Sequence, residues 1–212
     1  MRIKAIVVAI ASFAAFVALG RYVVRAGEPA ALVAWERSLT DHSTLVALWL
    51  TRICRPPVLV ALAVVVVVVA WRFPAWRGRA IFSIAMLLLC WRGADLFQHL
   101  FARPRRLDWV MKHELSFSYP SSHAAIATGF FALWAWLLSM SQLPKTTRNV
   151  AAAALVVLAL AICWSRLALG AHYLTDLIGG ALLAVALVSA GVAAVPSAVF
   201  GGVAGRASGS EE

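Results

Sequence analysis

Residues 56–71 read PPVLVALAVVVVVVAW, and Arg72 follows them. In water, a run so rich in valine favours a β-strand. In lipid no water is available, so the backbone of an isolated segment must satisfy its hydrogen bonds internally, as a helix does. The run therefore predicts a membrane-spanning helix, and it decides the fold class.

The same kind of apolar block recurs along the 212 residues, of which 63% are hydrophobic, against about half in soluble domains. A spanning helix needs about 17–25 apolar residues. Six segments come close to this length or reach it, at 5–20, 56–71, 80–101, 124–143, 150–164 and 173–195. We therefore predict an all-α polytopic membrane protein, with six transmembrane helices in one domain over residues 1–196 and a flexible cytoplasmic tail over 197–212.

Two parts of this division have alternatives. Arg2 and Lys4 before the first apolar run, and residues 18–20 at its end, could form a cleaved signal peptide; we interpret the run as a retained helix. Within residues 21–55, Ser43 or Thr44 could cap a short helix that ends at Arg52. Its apolar side chains share one face, which favours a helix lying in the membrane interface; a lid over the site is the alternative.

The positions of the basic residues predict the orientation. Lysines and arginines without any acidic residue precede the first helix and fill the second-to-third and fourth-to-fifth links, which we assign to the cytoplasm. The opposite face receives residues 21–55, 102–119 and 166–171, where arginines are mixed with acids. We expect a cell inner membrane protein whose active site faces the periplasmic side.

The net charge of +10 could indicate a nucleic-acid binder, but the basic residues flank apolar runs and do not form one soluble face. Membrane lipids are therefore the expected partners, and nucleic acid is not. Three cysteines, Cys54, Cys90 and Cys163, have no metal-ligand or redox spacing.

Residues 165–176, SRLALGAHYLTD, carry the clearest chemical signal. His172 and Asp176 lie four residues apart, which places both on one face of a helix. An aspartate that accepts one imidazole N–H leaves the other nitrogen as a nucleophile; a purely structural pair is the alternative. The forked donors of Arg166 suit a phosphate.

Two further stretches fall on the same predicted face. In residues 119–123, YPSSH, small polar residues precede a helix, whose free N–H groups favour an anion; simple N-capping is the alternative. His123 could donate a proton there. Residues 95–106 hold three arginines, for which anchoring to lipid headgroups is the alternative.

Together the three stretches resemble the type 2 phosphatidic acid phosphatase superfamily, which includes vanadium haloperoxidases and glucose-6-phosphatases. Its third motif, Ser-Arg-x5-His-x3-Asp, is matched by residues 165–176, and its second, Pro-Ser-Gly-His, by residues 120–123 with Ser122 in place of glycine. The first, Lys-x6-Arg-Pro, is matched poorly. Gln98 replaces the lysine if Arg105 is the arginine, and pairing Arg103 with Pro104 would place Leu96 there instead.

The resemblance implies a role for each residue. His172 would attack phosphorus and form a phosphohistidine, Asp176 would orient it, and His123 would protonate the leaving alcohol and then activate water. The phosphate ligands would be Arg105, Arg166, Ser121, Ser122 and Gln98. Arginines take the place of Mg²⁺, so neither a metal nor a cofactor is implied.

The predicted function is a lipid phosphatase acting on a phosphomonoester or pyrophosphate. A lipid-to-lipid phosphotransferase and a non-catalytic binder of lipid phosphates are the alternatives. A transporter is less well supported, because its polar groups would line the membrane midplane.

Overall fold

The computed structural model describes residues 2–40, 45–106 and 116–200, and these ranges contain helices and no strand. The α-helices are α1 (Arg2–Ala26), α2 (Ala30–Ser38), α3 (Leu45–Arg52), α4 (Pro56–Arg72), α5 (Arg77–Phe101), α6 (Ser122–Ile126), α7 (Leu133–Ser139), α8 (Lys145–Ala168) and α9 (Leu174–Ala194). A π-helical segment, Ala127–Ala132, joins α6 to α7. The predicted all-α class is confirmed.

Five helical segments in the described part of the chain are long and apolar enough to cross a membrane, and α3 with α4 would make a sixth. Helices α1 and α8 are longer than the apolar runs that predicted them. Helix α1 continues past Arg21, and α8 already begins at Lys145. The reason is that a charged residue ends the apolar run but not the helix, which continues into the headgroup region.

Helices α3 and α4 are bent by 56° relative to each other. Pro56 and Pro57 occupy the first positions of α4, where their missing N–H groups cost nothing and their fixed φ starts a new helix. Helix α3 ends at Arg52, as expected; its location in the membrane interface stays a prediction. The caps proposed for it, Ser43 and Thr44, lie outside the described residues.

Helix α2 was not predicted. It starts after Pro29 and covers nine residues that the sequence analysis left as loop. The segment is too short to give a clear apolar period, and its one fully buried residue is a charged one, Glu36. A pattern based on hydrophobic residues therefore could not find it.

The bundle is closed by the packing of α1 against α9. The Tyr119 ring fills the space between them. It stacks on Phe16, and its hydroxyl donates to the Phe16 carbonyl at 2.6 Å. A Cβ on Gly20 would lie 2.6 Å from this ring, and one on Gly179 would overlap it. Both glycines are thus needed for the approach that fixes the segment leading into α6.

The compact part of the chain extends slightly further than the boundary predicted at residue 197. Ser197–Val199 form a 3-10 turn, and Phe200 is buried against Phe82 and Trp136. Its carbonyl accepts a hydrogen bond from Arg79 at 2.7 Å. Because these contacts hold residues 197–200, the tail can begin only after Phe200; residues 201–212 lie outside the described ranges.

Candidate active site

The turn between α8 and α9 carries the third motif. Gly170 has a φ of +62°, a left-handed conformation that favours glycine at the end of a helix. The Ala171 N–H donates back to the Arg166 carbonyl at 2.9 Å. This ending reverses the chain within a few residues, so Arg166 in α8, His172 in the turn and Asp176 in α9 lie together.

His172 and Asp176 form a buried pair. Nδ1 of His172 lies 3.4 Å from Oδ2 of Asp176, which also accepts the Tyr173 N–H at 2.9 Å and the Ser118 hydroxyl. An ionised carboxylate can only accept hydrogen bonds. Nδ1 therefore carries the proton, and the lone pair of His172 is on Nε2.

The surroundings favour neutral His172. Burial lowers the pKa of His172 to about 3, with Arg105 and Arg166 acting in the same direction and Asp176 opposing them. The imidazole thus stays uncharged near neutral pH, with its lone pair available. This is the protonation state that a nitrogen nucleophile requires.

The side chain of Arg105 lies beside this lone pair. Its Nη1 is 3.2 Å from Nε2 of His172 and 3.2 Å from the Ala171 carbonyl. Its Nε and Nη2 donate to the carbonyl and hydroxyl of Ser116 at 2.8 and 2.6 Å. The contact places a guanidinium where an oxygen of an attacked phosphate would lie; that it binds phosphate stays a prediction.

Arg103 lies on the far side of Asp176. Its Nη1 donates to Oδ1 of Asp176 at 2.5 Å and to Oγ1 of Thr175 at 2.9 Å, and its Nη2 donates to Glu28 at 2.8 Å. The side chain is buried, and its hydrogen bonds go to these three residues. Of the two alignments of the first motif, the geometry favours the one that uses Arg105.

His123 and Arg166 both contact Thr51, a residue that was not predicted to be part of the site. Nε2 of His123 lies 3.2 Å from the Thr51 carbonyl and 3.3 Å from its hydroxyl. Arg166 donates to that hydroxyl at 2.6 Å. Nothing in the sequence signals Thr51, which is reached only through the packing of α3 on α8.

The segment before α6 is tied to the other two stretches. The Ser121 N–H donates to the Asp176 carbonyl at 2.9 Å, and the Ser121 hydroxyl accepts the Ala124 N–H at 3.4 Å as a helix cap. Ser122 is the first residue of α6, and its side chain is partly buried. Phosphate binding by the two serines stays a prediction.

Gln98 is buried and donates from its amide to the Pro120 carbonyl at 2.8 Å. The observed contact therefore supports the backbone of the second motif. The predicted contact of Gln98 with a substrate phosphate is untested.

Two acidic residues complete the surroundings of α9. Glu28 accepts the Thr175 hydroxyl, and Glu36 accepts the Leu174 N–H at 2.6 Å. Burial raises the pKa of Glu36 to about 7, although the hydrogen bond from Leu174 opposes this. From the sequence these acids were predicted only as outer-face charges, because their partners in α9 are more than a hundred residues away.

Within residues 2–40, 45–106 and 116–200, no group of three or more histidine, cysteine, aspartate and glutamate side chains is arranged to hold a metal ion. The positive charges of Arg105 and Arg166 both act on the His172 imidazole.

The chain is similar to known proteins in part of its sequence and in its fold. Residues 95–199 match the family model described as the PAP2 superfamily. No curated protein matches the chain. The fold is similar to that of a transmembrane PAP2 type phosphatidylglycerolphosphate phosphatase from Bacillus subtilis, with a TM-score of 0.68 and 20% identity over 87% of this chain and 94% of that one.

Proposed function

This chain carries a PAP2 superfamily domain, and on that premise we propose that it is an integral membrane phosphatase that removes a phosphate from a lipid. One observation carries the proposal: the Nε2 lone pair of neutral His172 faces the guanidinium of Arg105 at 3.2 Å, while Asp176 holds the other ring nitrogen. A nucleophile and a cationic group for phosphate oxygens are thus adjacent. That combination suits phosphoryl transfer, which depends mainly on positioning and charge stabilisation.

In the proposed first step, Nε2 of His172 attacks phosphorus and the bond from phosphorus to the lipid oxygen breaks. His123, as the imidazolium, gives a proton to that oxygen and becomes neutral, so the lipid leaves as an alcohol. In the second step, a water molecule attacks the phosphorus of the phosphohistidine, and His123 takes a proton from that water. The P–N bond breaks, its electrons return to Nε2, and inorganic phosphate is released.

The remaining groups would stabilise the charge that develops on the phosphate oxygens. Arg105 and Arg166 can donate directly, and the N–H groups at the start of α6 offer further donors beside Ser121 and Ser122. Because the arginines supply this positive charge, we propose that the reaction needs no divalent metal.

We also propose that the site faces the periplasm from the inner membrane. The distribution of basic residues supports this orientation, since the links at the other end of the bundle carry lysines and arginines without acids. The substrate is then a lipid phosphomonoester or pyrophosphate of the outer leaflet of that membrane.

Phosphate release by purified protein in detergent tests the proposal. We expect release from at least one of phosphatidic acid, phosphatidylglycerolphosphate and undecaprenyl pyrophosphate, its survival in excess EDTA, and its inhibition by vanadate. His172→Ala should abolish it. Activity that needs added Mg²⁺ would contradict the metal-independent mechanism, and undiminished activity in His172→Ala would contradict the nucleophile.

The same assay separates the alternatives. A phosphotransferase would transfer phosphate only when an acceptor lipid is added. A non-catalytic binder would retain a labelled lipid phosphate without releasing phosphate from any member of the panel.

A further inference from the structure

Thr51 lies outside the segment matched by the family model, yet it contacts two of the predicted functional residues. Only 2% of its surface is exposed. Its hydroxyl is 2.6 Å from Nη1 of Arg166 and 3.3 Å from Nε2 of His123, and its carbonyl is 3.2 Å from that same nitrogen. One residue thus joins the predicted acid–base group to a predicted phosphate ligand.

The short helix α3 holds Thr51 in place through its two different faces. Ala47, one turn before Thr51, is buried against Ala168 and Leu169 at the end of α8. The opposite face exposes Leu45 and Trp49, as expected of a helix in the membrane interface. Residues one turn apart share a face, so the packing of Ala47 also directs Thr51 towards the site.

The contacts of Thr51 select one protonation of His123. A carbonyl oxygen can only accept, so the Thr51 carbonyl requires a proton on Nε2 of His123. A guanidinium can only donate, so the Thr51 hydroxyl accepts from Arg166. In the resting site His123 therefore carries a proton on Nε2, the ring nitrogen that contacts Thr51.

We propose that Thr51 is a positioning residue, which keeps the proton of His123 on Nε2 and fixes Arg166 relative to it. The inference rests on the proposed function for its catalytic consequence, but its contacts are independent of that function. Through Thr51, helix α3 becomes part of the catalytic unit although it supplies no group that reacts.

Two variants of Thr51 and one matched control test this. Thr51→Val removes the hydroxyl at nearly constant shape, and Thr51→Ser keeps it. Thr128→Val makes the same change in the π-helical segment after α6. Thr51→Val loses the hydrogen bond from charged Arg166, so we expect its kcat to fall by about ten- to a hundredfold. The change in KM should be smaller than this fall in kcat. Thr51→Ser and Thr128→Val should stay within about threefold of the wild type.

Three outcomes would overturn the proposal: wild-type kcat in Thr51→Val, an equal loss in Thr51→Ser, or an equal loss in Thr128→Val, which would indicate a general packing effect.

A spectroscopic measurement separates this proposal from the proposed function. In protein labelled with ¹⁵N-histidine, the ring signals of His123, assigned by their loss in His123→Gln, should report a proton on Nε2. Thr51→Val keeps the backbone carbonyl, so this proton should stay on Nε2, but the signals should shift because the hydroxyl 3.3 Å from Nε2 is lost. They should not shift in Thr128→Val. Unchanged His123 signals in Thr51→Val would refute the role of Thr51 even in an active enzyme. If the wild type releases no phosphate from any lipid, the proposed function fails, while these signals still decide whether Thr51 positions His123.

Discussion

At the scale of single residues, Arg103 and Arg105 show how two neighbouring arginines take different tasks. Ala102 ends α5 in a left-handed conformation with a φ of +49°, and both arginines follow this turn. Arg103 lies buried between Glu28 and Asp176, whereas Arg105 reaches the lone pair of His172.

Lysine substitutions should separate the two tasks, because lysine keeps the charge but loses the forked donors. Arg105→Lys should raise KM by about tenfold, the value of one lost charged hydrogen bond, and should leave the melting temperature near that of the wild type. Arg103→Lys should lower the melting temperature, because it breaks a buried network. Steady-state kinetics and thermal unfolding in detergent measure both. A raised KM without loss of stability in Arg103→Lys would reverse the assignment.

Contacts between residues close in sequence could be predicted, whereas contacts between distant residues could not. The pairing of His172 with Asp176 follows from helical spacing, and the structure places both as expected. Gln98 was chosen by its position in a motif, but its observed partner is the Pro120 carbonyl, which spacing alone does not reveal. Thr51 forms its contacts across more than seventy residues, so only the packing of helices could identify it.

At the scale of the helices, the long apolar runs were predictable because lipid leaves the backbone no other form. Helix α2 was not, since it is short and buries a carboxylate. Through Glu36 it caps the N-terminus of α9 at the Leu174 N–H and contacts Arg106. A carboxylate is favourable at a helix N-terminus, which explains why an acid is found in this position.

The raised pKa of Glu36 predicts a pH-dependent stability. Because the folded-state pKa is about 7, above the ordinary 4.5, the stabilisation from this group is complete below about pH 4.5 and is lost as the pH rises through 7. Glu36→Gln cannot ionise. The melting temperature of Glu36→Gln minus that of the wild type should therefore be larger at pH 8 than at pH 5, as measured by thermal unfolding in detergent. A constant difference across this range would show that Glu36 does not titrate there.

At the scale of the whole molecule, the orientation in the membrane can be tested by labelling cysteines from outside intact cells. The probes would be Arg55→Cys and Lys145→Cys, both exposed, in a background without the three native cysteines. Arg55 lies at the site end of the bundle and Lys145 at the opposite end. Labelling of Arg55→Cys alone is expected. Labelling of Lys145→Cys alone would place the site in the cytoplasm and require a different pool of lipid.

The contact of α1 with α9 has a consequence for biogenesis. These are the first and the last spans of the described chain. Helix α9 contributes Asp176, whose carboxylate lies beside His172 and whose carbonyl accepts the Ser121 N–H. Until α9 leaves the translocon and docks beside α1, His172 has no Asp176 beside it and the Ser121 N–H lacks its acceptor. The proposed phosphatase activity would thus begin only after the last span is inserted, so a ribosome stalled before α9 would leave an inactive intermediate in the bilayer.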